Sequence, residues 1–368
     1  MQNNPEKDWE AYRERELAVI TPILDKLGFK LESSQPHIAG ERYIMRAVTT
    51  TSGRKLILLG RRIKDNVRVV IKATNDPGGI HELEHERECR RVLQKINFAY
   101  HVFLSPEEIL FTKRAGYTLS VQSFIEQEST FLARPLKEQF ALALKAFKAQ
   151  EGAHATTYGH EHLVRKTFGS MNATNYLDAF EKFKRNIFRE LPDGMVSKSI
   201  LDEASKRLTE GQEVIEQYCG FLTHTDLIPH NIRVKDGEIY LLDHSSLRFG
   251  NKYEGWMRFI NFMTLYNPPL ADALIEYVRL NRTPEELLSL RLMRIYRLGE
   301  IIWYYVNTLD KCTGDLHTLN TERVKFWARV LEAVLRDEPV PQDVLERYRT
   351  IRDTLRSPEE KVRQKDLH

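Results

Sequence analysis

The sequence predicts a two-lobed α+β fold, with a strand-rich N-terminal lobe over residues 1–121, a connector over 122–128 and a mainly helical C-terminal lobe over 129–368. Three observations lead there. Short apolar segments separated by turn residues fill residues 32–75. Helix-period patterns dominate after residue 129. One strand–turn–strand unit, inside Phe221–Gly250, interrupts those helices. The chain has 368 residues, 42% hydrophobic and 29% charged, which is enough for one large or two ordinary domains with a real core.

The elements follow in order. Trp9, Tyr12, Leu17, Ile20, Ile23, Leu24 and Leu27 recur at three- and four-residue intervals and predict a helix over 7–27, ended by Gly28. Tyr43–Val48, Lys55–Leu59 and Val67–Lys72 read as strands of an antiparallel meander, with turns at Ser52-Gly53 and Lys64-Asp65-Asn66. Residues 80–96 read as a helix with Leu83, Cys89, Val92, Leu93 and Ile96 inward, and 118–127 as a strand running into a connector. Later helices are expected over Phe140–Phe147, Tyr176–Phe188, Ile200–Tyr218, Leu287–Leu298 and Glu322–Leu335. Thr283-Pro284-Glu285-Glu286 marks one start, with Thr at the N-cap, Pro at the first helical position and Glu at the third.

The chemistry concentrates in FLTHTDLIPHNIRVKDGEIYLLDHSSLRFG, residues 221–250. Asp226, Asn231 and Asp243 stand there in a D-x-x-x-x-N…D arrangement. Asp236-Gly237 is a strong two-residue hairpin signal between apolar strands. Counting back from that turn sets Lys235 opposite Glu238, Val234 opposite Ile239 and Asn231 opposite Leu242. Asp243 then lies one residue from the partner of Asn231. Two oxygen ligands twelve residues apart in sequence are thereby brought to one small hard cation. Asp226, on the loop entering the hairpin, can orient or deprotonate a hydroxyl. A carboxylate for the acceptor and two ligands for magnesium are what phosphoryl transfer requires.

HTDLIPHN followed by IYLLDHSS resembles the catalytic loop and metal-binding segment of the aminoglycoside phosphotransferase and choline kinase group, protein-kinase-like enzymes that phosphorylate small molecules. The resemblance implies a catalytic Asp226 supported by His224, and magnesium ligands Asn231 and Asp243. Two departures stand out. Ser245 occupies a position where many members carry a second acid, and Glu254 or Gly255 stands near the place of a further Asp.

Within that frame Lys72, at the end of VRVVIK, is expected to reach the α- and β-phosphates of ATP or another nucleoside triphosphate. Strand alternation puts Val70 on the same face, as a roof for the base, and Val69 and Ile71 on the other. Glu88 is expected to pair with Lys72, since Val92 and Ile96 follow it on one helix face; Glu84 and Glu86 are the alternatives. Gly40, in Ala39-Gly40-Glu41, is the candidate for a poorly marked phosphate loop, and Gln122–Gln127 for the hinge that holds the base.

Composition narrows the classes. A net charge of +3, with Lys and Arg spread along the chain, does not argue for nucleic acid. Cys89, Cys219 and Cys312 are odd in number and widely spaced, as expected for free thiols in a reducing cytoplasm. The polar N-terminus does not read as a signal peptide, and the apolar run Glu300–Val306 is too short for a bilayer. His154, His160 and His162 fit no zinc spacing. Trp256, Trp303, Tyr304 and Tyr305 are either core or an aromatic cage. The expected activity is an ATP- and magnesium-dependent phosphotransferase acting on a small hydroxylated molecule, with a catalytically inactive nucleotide-binding relative as the alternative. Asp243-His244-Ser245 in place of D-F-G, and no A-P-E downstream, speak against a protein kinase.

Overall fold

The computed structural model describes residues 5–35, 54–96, 104–152, 158–191 and 194–356, with residues 358 and 361. Gly40 and the expected strand Tyr43–Val48 lie outside the described residues.

The N-terminal helix α1 (Pro5–Lys26) ends where Gly28 takes a left-handed conformation, φ 83°. Then come β1 (Phe29–Leu31), β2 (Leu56–Arg62), β3 (Arg68–Thr74), helix α2 (Pro77–Lys95), β4 (Glu108–Arg114) and β5 (Tyr117–Ser123). The strands form an antiparallel sheet in the order β1-β2-β3-β5-β4. Alternation divides its faces. Leu56, Leu58, Val69, Ile71, Leu119 and Val121 are buried together with Tyr12, Ile20 and Leu24 of α1, so that helix roofs the outer face. Val70 and Lys72 stand on the opposite face and are only half-buried. Strand β4 was not anticipated. Its hairpin turn is Ala115-Gly116, with φ 48° and 82°, and Ala is a weak turn signal because its Cβ opposes positive φ.

Helix α2 starts at the N-cap Asp76, whose carboxylate accepts the Gly79 N–H at 3.1 Å. Its Cys89, Val92 and Leu93, with Ile96 just beyond, join the core of the C-terminal part, so this helix ties the two lobes together.

The chain leaves the sheet at Ser123 and continues into α3 (Leu136–Gly152), α4 (Tyr158–Phe168), α5 (Ala173–Glu190), α6 (Lys198–Glu210) and α7 (Gln212–Gln217). Strands β6 (Phe221–His224), β7 (Ile232–Lys235), β8 (Glu238–Leu241) and β9 (Leu247–Gly250) follow. Helices α8 (Tyr253–Tyr266), α9 (Pro268–Asn281), α10 (Pro284–Val306), α11 (Gly314–Arg336) and α12 (Gln342–Leu355) complete the lobe. The capping box expected at Thr283 is present, with Glu286 reciprocating. The single helix expected over Ile200–Tyr218 is two, parted at Gly211, where Leu292 of α10 packs so closely that a Cβ would lie 2.3 Å from its Cδ1.

The core of this lobe runs along α8 and α10. Trp256 is fully buried and stacks on Phe147 at 4.1 Å between centroids, and Trp303 stacks on Phe183 at 5.0 Å. Both tryptophans are thus engaged in packing. Among the described residues, no helix is long and apolar enough to cross a membrane.

Candidate active site

The segment Phe221–Gly250 folds as counted from its turn. Asp236 and Gly237 take φ 54° and 73°, the turn geometry that lets β7 and β8 pair tightly. Val234 pairs with Ile239 and Lys235 with Glu238, and the Asn231 carbonyl accepts the Leu242 N–H at 2.8 Å. Asp243 follows at once, in a left-handed conformation (φ 57°, ψ 59°) that swings the chain into the 3-10 turn His244–Ser246. A second pair, β6 with β9, brackets the loop from below, with His224 opposite Leu247.

Asp226 is held from two sides. Its Oδ2 accepts the Asn231 amide at 3.0 Å, and the same amide donates to the Asp226 carbonyl at 2.8 Å. Its Oδ1 accepts Nε and Nη2 of Arg258 at 2.9 and 2.8 Å. Burial works against ionisation here, but Arg258 foremost outweighs it and keeps this carboxyl below the ordinary range. His224 is fully buried and does not point at the cleft. Its Nε2 donates to the Leu242 carbonyl at 2.9 Å, and its backbone N–H donates to Gln150 at 3.1 Å. It braces the loop against the segment that carries Asp243.

Asp243 receives a hydroxyl on each oxygen, Ser245 on Oδ1 at 2.6 Å and Ser246 on Oδ2 at 3.0 Å. Burial opposes its charge, while Lys55, the Ser245 hydroxyl and Lys72 hold the carboxyl down. Among the described residues no three His, Cys, Asp or Glu side chains cluster as a protein-only metal cage. The Asn231 amide oxygen and the Asp243 carboxylate are hard oxygen donors, of the kind that magnesium takes one or two at a time alongside substrate phosphates.

Above the loop, Lys72 Nζ lies 2.7 and 2.6 Å from the two oxygens of Glu86, a pair sealed from solvent on the glutamate side. This corrects the expected pairing with Glu88. The inward face of α2 carries Leu83, Glu86, Arg90 and Leu93, whereas Glu88 is exposed, because two residues turn a helix through more than half a circle. Burial would raise the Glu86 carboxyl; the ammonium of Lys72, with Arg90 and Lys55 behind it, holds it down to about 2. Val70, paired with Leu59 and Gln122, shares the Lys72 face as alternation required.

Several residues of this site carried no motif. Arg258, on α8, binds Asp226 directly. Arg297, on α10, donates to the Thr225 carbonyl at 2.9 Å and to Glu254, which is fully buried. Glu254 also accepts Arg248 and, at 2.7 Å, the Tyr176 hydroxyl. The position noted only as a departure is thus the hub that fixes the backbone next to Asp226. The available signal was an arginine inside the apolar run WMRFINFMTLY, where a charge needs a partner. His160 and His162 lie on α4, and His154 is outside the described residues.

No protein-family model matches the chain, and no curated protein sequence matches it. Solved structures do. Macrolide 2'-phosphotransferase MphH from Brachybacterium faecium superposes with a TM-score of 0.55 at 12% identity, covering 83% of this chain and 97% of that one. A thermostable mutant of aminoglycoside phosphotransferase APH(4)-Ia, in ternary complex with ADP and hygromycin B, gives 0.52 at 15% identity over 80% and 97%. The GDP complex of wild-type aminoglycoside 2'-phosphotransferase-IIIa gives 0.53 at 12% identity over 78% and 92%. The chain therefore has the protein-kinase-like fold of the aminoglycoside and macrolide phosphotransferases.

Proposed function

We propose that this protein is a magnesium- and nucleoside-triphosphate-dependent phosphotransferase whose acceptor is a hydroxyl of a small molecule. The observation that carries the reading is the convergence of Asp226, Asn231 and Asp243 on one loop-and-hairpin unit beneath a closed Lys72–Glu86 pair. Solved neighbours of the same fold hold ADP or GDP.

In this reading Asp226 accepts or orients the acceptor hydroxyl proton. Asn231 and Asp243 hold magnesium, which when bound neutralises charge on the transferring phosphoryl group. Lys72, aimed by Glu86, binds the α- and β-phosphates, and Val70 covers the base at the Gln122–Gln127 connector. Ser245 and Ser246 keep Asp243 ionised, and Arg258 does the same for Asp226. Catalysis is then mainly positioning and charge stabilisation.

Arg258 is paired with Asp226 itself, and the buried Arg297 with Glu254 and Glu300, so each cation is matched by a carboxylate. With these charges matched, the surroundings of Asp226 favour no charge class of acceptor. The test is a coupled ADP-release screen over hydroxylated metabolites of all three charge classes, with Asp226→Asn as the blank. Absence of magnesium-dependent turnover with every acceptor refutes the reading.

One observation favours a second reading, a nucleotide-binding protein without turnover: the Arg258 guanidinium occupies Asp226 Oδ1. Calorimetry with and without magnesium, followed by the same screen, separates the two; tight binding with no turnover supports the second.

A further inference from the structure

A second lysine sits beside Lys72. Lys55 immediately precedes β2 and is only 7% exposed. Ile57 pairs with Lys72 across the sheet, and Lys55 stands two residues before Ile57, so strand alternation sets both lysines on one face. The partner is duplicated as well. Lys55 Nζ is bonded to Glu82, one turn before Glu86 on α2, and residues four apart share a helix face. The space between the sheet and α2 therefore holds two lysine–glutamate pairs side by side.

The two pairs are not equivalent. Glu86 has both oxygens on Lys72, whereas Glu82 leaves its Oε2 buried with no hydrogen-bond donor. A buried ion pair kept for structure alone would be expected to satisfy both oxygens. The sequence supplies a reason for an extra charge. Between β1 and β2 the glycines are Gly40 and Gly53, far apart, so the segment lacks the clustered glycines that let backbone amides cradle phosphates.

We infer that Lys55 is a second phosphate-binding lysine, donating to a triphosphate oxygen from β2 as Lys72 does from β3. This rests on the nucleotide-binding reading above. The charge is delivered by two side chains on neighbouring strands, with α2 supplying one carboxylate to aim each.

The experiment is calorimetry of the full chain with magnesium and AMP-PNP or GMP-PNP, and with adenosine or guanosine, for wild type, Lys55→Met, Lys55→Arg and Lys113→Met. Lys113 forms an exposed pair with Glu84 on the same helix and controls for charge. A lost charge-assisted hydrogen bond should weaken the triphosphate analogue about 10- to 100-fold in Lys55→Met. The nucleoside should bind as before, Lys55→Arg should recover most of the affinity, and Lys113→Met should be unchanged. Equal losses for nucleoside and analogue would assign Lys55 a merely structural role and overturn the inference, as would unchanged analogue binding in Lys55→Met. A melting curve for each variant identifies unfolding, and if Lys55→Met does not fold, Lys55→Arg and Lys55→Gln are compared by the same nucleoside-to-analogue ratio. A wild type that binds neither analogue sinks the nucleotide-binding reading itself, and this assignment with it.

Discussion

Glu86→Gln should cost far more than Glu88→Gln, although the two glutamates stand two residues apart on one helix. Glu86 gives both carboxylate oxygens to Lys72, at 2.7 and 2.6 Å, and its side chain is 3% exposed. Its carboxyl is held at about 2 against an ordinary 4.5. That displacement corresponds to ~3 kcal/mol of differential stabilisation of the ionised form. Removing one partner of a buried pair costs about 3–5 kcal/mol, because the other charge is left uncompensated. The two routes agree, and the expected loss is ~3 kcal/mol in urea denaturation at pH 7. The sign with pH follows from a depressed folded-state value. The stabilisation is complete above pH 4.5 and is lost as the pH falls through about 2. Glu86→Gln should therefore flatten the stability profile across that interval. Glu88→Gln, on an exposed position, should stay within about 0.5 kcal/mol of wild type. Equal losses for the two variants, or an unchanged acid profile in Glu86→Gln, would refute the assignment of the pair.

Other outcomes follow from the same geometry. Asp226→Asn should lower turnover about 10²- to 10⁴-fold in the coupled ADP assay while leaving nucleotide affinity near wild type. Arg258→Met should raise the Asp226 carboxyl, because burial is then less opposed, and so move the acid limb of the pH–rate profile to higher pH. Ser245→Ala removes a hydroxyl that holds the Asp243 carboxylate ionised, so magnesium titrations in mildly acid buffer should show weaker binding than wild type, with the difference vanishing as pH rises. Gly255→Ala would put a Cβ 2.8–2.9 Å from Thr223 Oγ1, Gln150 Oε1 and the His224 carbonyl, and should cost about 1–3 kcal/mol in thermal or urea unfolding.

Local signals made much of this molecule legible. The Asp-Gly turn set the register of β7 and β8, and that register alone brings Asp243 next to the partner of Asn231, since hairpin pairing depends only on loop length. Alternation in VRVVIK correctly divided Val70 and Lys72 from Val69 and Ile71, because the pleat has period two. Gly28 and the Thr283 capping box marked helix ends by rules that act within a few residues. β4 escaped because its turn, Ala115-Gly116, lacks the usual residues.

What the tertiary structure decided is the rotation of α2 and the company of Asp226. Glu84, Glu86 and Glu88 all lie on a helix whose local pattern allows more than one inward face, and only packing against the C-terminal core turns Glu86 toward Lys72. Arg258, Arg297 and Glu254 come from α8 and α10, thirty to seventy residues beyond the loop they brace. No spacing rule spans such distances, because the contacts depend on how helices cross rather than on how one segment repeats. The sequence by itself determined the hairpin register in Phe221–Gly250 and, with it, the placement of Asn231 beside the segment that leads to Asp243. The ion pairs that surround that segment were decided where separate elements meet.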